Sequence, residues 1–139
     1  MRLFLDANIL FSAAHSPEGG ARELIRLSEA GHCELMTSQH AIFEADRNLT
    51  LKSPSGAEAF HQVLKTVHRL PDAGPGLFAW AVSLGLPEND APILAAAAAA
   101  EADLLVTGDR KHFGHLHGST VGRVRVATLV EALEMVVDS

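Results

Sequence analysis

Four carboxylates stand where short apolar segments stop or where helices should begin: Asp6 in FLDANILFSAA, Glu44 in AIFEADRNL, Asp90 in LPENDAPILAAA and Asp109 in LLVTGDRKHF. An apolar run that ends on a charge places that charge at the tip of a buried strand. Tips that share one sheet edge would bring such acids together. Two like charges about 5 Å apart cost about 3 kcal/mol at an effective dielectric of about 20, so a bare cluster is unstable or partly protonated. Divalent cations relieve the repulsion, and Mg²⁺ or Mn²⁺ suits an all-carboxylate, water-filled site better than zinc. The chemistry that follows is phosphodiester hydrolysis, in which one ion lowers the pKa of a water and a second, if present, stabilises the leaving oxygen. No protein nucleophile is required.

The elements that must position these acids are legible from apolar periodicity. Arg2 to Leu5 reads as a strand, and Ala21 to Ala30 as an amphipathic helix with Leu24, Ile25 and Leu27 inward, stopped by Gly31. Glu34 to Thr37 reads as a second strand. Ser38 caps a helix from Gln39 to about Leu51, and Ser55 caps another to about His68. After the turn-rich LPDAGPG, a helix passes through Trp80 to Leu84 and closes at Gly85. Asp90 opens an alanine-rich helix whose small side chains allow close approach to a sheet. Leu104 to Val106 and Val124 to Ala127 read as strands, Thr128 caps a last helix to about Val136, and His115 to Gly122 reads as a flexible excursion. Strands separated by helices indicate an α/β layer fold with a mostly parallel sheet.

In such a sheet ligands bind outside the carboxyl ends of the strands. Asp6 follows the first strand directly, and Asp109 follows the LLV strand after two residues, so both lie on that edge. Asp90 begins the helix that feeds the LLV strand, which returns it to the same edge. Glu44 lies about one and a half turns into its helix, within reach if its side chain faces inward. Each acid also has a structural reading: Asp90 as a helix cap ahead of Pro92, Asp109 as a turn residue after Gly108, Glu44 as part of a solvated face with Asp46 and Arg47. Asp6 resists such a reading, because FLDAN sets a charge inside an apolar entry. The four together favour a site.

Composition bounds the rest. At 139 residues and 47% hydrophobic content the chain suits a single domain, residues 1–139. The net charge of −6 argues against a broad, non-specific binder of polyanions. The one cysteine, Cys33, agrees with a reducing compartment. Leu3 to Leu5 is too short for a signal-peptide core, and Ala91 to Ala100 is about half a membrane span. A cytoplasmic location with no membrane association is the expectation.

At the four acids the chain resembles the PIN domain family, including the VapC-type toxin ribonucleases, and the order and spacing match from Arg2 to about Val137. The resemblance implies a three-layer α/β/α fold with a central, mostly parallel five-stranded sheet. It implies a Mg²⁺- or Mn²⁺-dependent ribonuclease acting on RNA, with Asp6, Glu44, Asp90 and Asp109 as catalytic and metal-binding residues, frequent homodimers, and a small antitoxin partner. Asn8 and Thr107 match polar positions that accompany the acids in the family, where they orient a carboxylate or a metal-bound water; either equally suits a cap or a turn.

Phosphate contacts would come from Arg47, Arg110 and Lys111, with Lys52 and His112 nearby. His112, His115 and His117 form H-x2-H-x-H, a pattern that could ligate zinc but reads more simply as an exposed loop. Asp103 precedes the LLV strand and belongs to the far edge, in a structural role. Two rivals stand beside the nuclease. A phosphatase or receiver-like domain would want a second acid where Asn8 stands, or adjoining acids after the first strand. A catalytically silent PIN-like binding module would not need all four acids.

Overall fold

The computed structural model describes all 139 residues. In chain order the elements are β1 (Arg2–Leu5), α1 (Ala7–His15), α2 (Gly20–Glu29), β2 (Glu34–Ser38), α3 (Gln39–Lys52), α4 (Ala57–Leu64), β3 (His68–Leu70) and α5 (Pro75–Ser83). They continue with α6 (Ala91–Ala99), β4 (Leu104–Val106), α7 (Arg110–Phe113), β5 (Thr120–Val121), β6 (Val124–Ala127) and α8 (Leu129–Asp138). Short 3-10 turns at Pro54–Gly56 and Gly114–Leu116 lead into α4 and out of α7.

The sheet order is β3-β2-β1-β4-β6-β5. The first five strands run parallel, as expected, and β5 adds an antiparallel sixth at the edge. Helices flank the sheet: α1 packs against α2, α3 and α4, while α5 packs against α6 and α2 against α8. Strands covered on both faces should be apolar throughout, and Leu3, Phe4, Leu5, Leu105 and Val106 are all fully buried. Ala95, Ala96 and Ala97 are buried too, and their small side chains let α6 lie against β2 and β4. No helix is long and apolar enough to cross a membrane.

Several local expectations hold in detail. Ser38 Oγ accepts from Ala41 N at 3.2 Å, and Thr128 and Glu131 form a reciprocal capping box on α8. Gly31 takes φ 88° to close α2. Asp103 sits at the far edge, where its Oδ2 accepts from Arg2 N at 2.7 Å.

Others are corrected. The helix expected from Ser55 to His68 ends at Leu64, and His68 opens β3, which pairs with β2 in the register Met36↔His68. Ser55 is not its cap, because Gly56 holds that position without a side-chain bond. The stretch from His115 to Gly122, expected to hold no element, contains the end of the 3-10 turn and β5, the first strand of the β5–β6 hairpin. Helix α1 had no counterpart in the sequence reading; Ala7, Ile9, Leu10, Ala13 and Ala14 are all buried, so it lacks a broad polar stripe to betray it.

Two facts of this topology position the acids. β1 pairs with β2 on one side and β4 on the other, so the strand order reverses between β1 and β4, the kind of switch point where α/β sheets bind ligands. The register Leu5↔Val106 sets Asp6 and Thr107, the next residue of each strand's chain, side by side at that carboxyl edge.

Candidate metal centre

Asp6 is the deepest of the four acids, 5% exposed at the start of α1. Its Oδ1 accepts from Ala7 N at 2.6 Å, and its Oδ2 from Thr107 Oγ1 at 2.7 Å and Asn8 Nδ2 at 3.3 Å. Burial raises its pKa to about 6; Glu44 and Asp90 add to the rise, against the hydrogen bonds from Thr107 and Ala7.

Asn8 and Thr107 lock the two strand ends together. Gly108 N donates to Asn8 Oδ1 at 2.9 Å, Asp109 N donates to Thr107 Oγ1 at 3.1 Å, and Asn8 Nδ2 lies 3.4 Å from Thr107 Oγ1. The turn TGD therefore has its shape set by the same two side chains that hold Asp6.

Asp109 caps α7, its Oδ1 accepting from His112 N at 3.0 Å, while its Oδ2 accepts from the His112 ring at Nδ1, also 3.0 Å. Its turn-forming reading therefore holds, and the same carboxylate also meets the His112 ring. Asp90 is different. It precedes α6, but its backbone is already helical (φ −102°, ψ −24°) and its side chain makes no capping bond. Its carboxylate instead approaches His112, with Oδ2 2.9 Å from Nδ1. Burial raises the Asp90 pKa; Asp109 and Glu44 push it further up, while His112 and His40 pull it down.

Glu44 projects from α3 with its side chain about a quarter exposed, and its Oε1 lies 2.6 Å from His40 Nε2. His40 Nε2 also lies 3.0 Å from the carbonyl oxygen of Asn89, so one imidazole ties α3 to the residue before Asp90. The charge of Glu44 is felt at both Asp6 and Asp90.

The tightest donor group is Asp90, Asp109 and His112, whose ligand atoms all lie within 4.8 Å of one another. Asp6 and Glu44 lie outside this group, although the charges of Glu44 and Asp90 act on Asp6 and that of Glu44 on Asp90. Arg47, one turn beyond Glu44, and Arg110 and Lys111, in the first turn of α7, are exposed. The three histidines do not form a zinc cluster: His115 Nε2 contacts the Leu84 carbonyl and His117 Nε2 the Thr107 carbonyl, both on backbone, while His112 alone turns to the acids. His112 and His40 are the functional candidates that sequence reasoning set aside or passed over. The i, i+4 spacing of His40 and Glu44 on a helix was the available signal for one of them.

A divalent ion fits this donor set on one specific ground. Asp90 Oδ2 is buried and has no hydrogen-bond partner, despite its nearness to His112. An unsatisfied buried carboxylate oxygen is costly, and a hard cation is the partner it lacks. Asp6, Asp90 and Asp109 supply further oxygens, the ligands Mg²⁺ and Mn²⁺ prefer. The acids line the open sheet edge; a cavity of about 340 Å³ lies elsewhere, between α3 and α4, lined by Ile42, Phe43, Phe60 and Leu64 among others.

Comparison with known proteins agrees with this architecture. VapBC2 from Rickettsia felis, solved bound to a DNA fragment from its promoter, is similar with TM-score 0.67 and 17% identity, over 92% of this chain and 98% of that one. PAE2754 from Pyrobaculum aerophilum is similar with TM-score 0.71 and 19% identity, over 100% of this chain and 91% of that one. A toxin-antitoxin complex from Klebsiella pneumoniae is similar with TM-score 0.56 and 22% identity, over 86% and 97%. At these identities the likeness is one of fold. No curated protein matches the chain in sequence. Residues 2–111 match the family model of the PIN domain, which spans both strand ends and all four acids. The chain belongs to the PIN domain family.

Proposed function

We propose that this chain is a Mg²⁺- or Mn²⁺-dependent endoribonuclease, one nuclease domain over residues 1–139, that hydrolyses phosphodiester bonds in RNA. The observation that carries the reading is the buried, unpartnered Asp90 Oδ2 beside Asp109, at the strand switch point where Asp6 also emerges. Asp6, Glu44, Asp90 and Asp109 would hold the metal. When bound, a divalent ion lowers the pKa of water and offsets charge on the phosphate.

The chain's own groups do the rest. Thr107 and Asn8 orient the Asp6 carboxylate and keep it from swinging into solvent. Arg47, Arg110 and Lys111 rim the acids and hold phosphates of the RNA. They must do so locally, because the net charge of −6 repels a polyanion at long range.

The same reading makes the protein the toxin of a toxin-antitoxin pair, acting in the cytoplasm as a homodimer and restrained by a small antitoxin protein. The support for this is the likeness to VapBC2 and to the Klebsiella pneumoniae toxin-antitoxin complex, together with a lone cysteine suited to a reducing compartment.

The test is a cleavage assay with a panel of single-stranded and structured RNAs in Mg²⁺ or Mn²⁺. The wild type should cut at least one RNA in a way that chelation abolishes. Asp6→Asn and Asp109→Asn should each lose that cleavage with their circular dichroism unchanged. Full activity in either variant, or no cleavage of any RNA by the wild type, would overturn the proposal.

A further inference from the structure

His112 stands between two acids that come from different elements. Its Nδ1 lies 2.9 Å from Asp90 Oδ2 and 3.0 Å from Asp109 Oδ2. A ring nitrogen carries at most one proton, and only Asp109 meets it in hydrogen-bond geometry. Asp90 Oδ2 therefore faces the same nitrogen with no proton directed at it.

We propose that His112 Nδ1 is a ligand of the divalent ion, together with Asp90 and Asp109, in the tautomer that keeps the ring proton on Nε2, the ion taking the place of any Nδ1 proton, which leaves to solvent, and that this nitrogen tilts the site toward Mn²⁺ over Mg²⁺. The inference rests on the metal-dependent reading above and goes beyond it in naming a non-acidic ligand and a metal preference.

The spacing of the donor atoms supports it. Adjacent ligands of a six-coordinate ion with bonds of about 2.1 Å lie about 3.0 Å apart. The two edges at His112, 2.9 and 3.0 Å, are short enough for one ion to span, and the three donor atoms all lie within 4.8 Å of one another. The ring is also held where it must be: its own backbone N donates to Asp109 Oδ1, which fixes α7 against the acid. Its side chain is 36% exposed, so solvent and ions can reach it.

The consequence for metal choice follows from ligand chemistry. Mg²⁺ favours oxygen and retains its waters, whereas imidazole is a good ligand for first-row transition ions. A site of acids alone discriminates weakly between Mg²⁺ and Mn²⁺. One imidazole in the first coordination sphere favours Mn²⁺.

The experiment uses the full chain as wild type, His112→Asn and His112→Ala. Mn²⁺ affinity is measured by electron paramagnetic resonance of the free ion, Mg²⁺ affinity by competition, and the ligand atom by electron spin echo modulation from ¹⁴N. The wild type should show imidazole ¹⁴N coupling to bound Mn²⁺. Both variants should lose it, and their preference for Mn²⁺ over Mg²⁺ should fall on the order of tenfold. His112→Asn, which keeps an oxygen donor near the same place, should retain Mg²⁺ binding. The proposal is overturned if Mn²⁺ binds the wild type without nitrogen coupling, if coupling persists in the variants, which would assign it to His40, or if the preference is unchanged. A wild type that binds Mn²⁺ and cuts RNA without that coupling would sink this inference alone. One that binds no Mn²⁺ would remove the metal-dependent reading as well.

Discussion

The hydroxyl of Thr107 donates to Asp6 Oδ2 at 2.7 Å, joining the residue that follows β4 to the residue that follows β1. Thr107 is fully buried and Asp6 nearly so. Thr107→Val keeps the shape and removes the hydroxyl, leaving a buried carboxylate oxygen with only the longer bond from Asn8, and Asp109 N without its acceptor. The expected cost is about 1.5 to 3 kcal/mol in urea unfolding at pH 8, the range for a hydrogen bond to a charged group. At pH 5, below the Asp6 pKa of about 6, the carboxyl is mostly protonated and the cost should shrink. Equal losses at both pH values would show that Thr107 does not support the charge.

Asp6 also gives the metal-free protein a pH dependence with a definite sign. Its pKa is about 6 when folded, against 3.8 for an aspartate in water. Between those values the folded state binds more protons than the unfolded state, so stability falls as pH rises from about 4 to about 6 and is flat above. The drop from this group is on the order of 3 kcal/mol. Glu131, whose pKa is lowered by its hydrogen bonds to Thr128, pulls the other way at the acid end. The informative quantity is therefore the difference between wild type and Asp6→Asn in chelator. That difference should carry the slope, and Asp6→Asn should be the more stable protein at pH 8. Parallel pH curves would contradict it.

Substrate contact by the exposed cations has its own signature. Arg110→Ala and Lys111→Ala should each weaken RNA binding without changing the fold, and each should reduce the salt slope of log K by about 0.7, the loss of one single-strand phosphate contact. Arg47→Ala should behave alike. Binding measured across a salt series checks this; an unchanged slope would remove that residue from the RNA path.

The parts of the molecule that were legible in the sequence are those whose signals are local. LLV is an apolar run and VRVA a short segment with one outward arginine, Arg125, and they form β4 and β6 at the expected residues. Ser38 and Thr128 announced their helices because capping depends only on the next three residues. What was not legible depends on distant partners. HRL is largely exposed and carries no strand pattern; it is a strand because β2 offers it an edge. His112 looked like surface because Asp90, the residue that gives it a role, lies far back in the chain and reaches it only through the packing of α6 against β4. Asp90 itself carried a true helix-start signal but not the cap that signal suggests, since its helical backbone turns the carboxylate away from the helix end.

The claim on which the rest depends is that separate acids form one site for a divalent ion. Thermal unfolding of the metal-free chain titrated with Mn²⁺ tests it most directly, with Asp90→Asn and Asp109→Asn beside the wild type. Binding to the folded state alone should stabilise the wild type by about 2.7 kcal/mol at a hundredfold excess over Kd, and neither variant should gain comparably. A wild type whose melting temperature does not move at millimolar Mn²⁺, or variants that rise with it in step, would contradict the account.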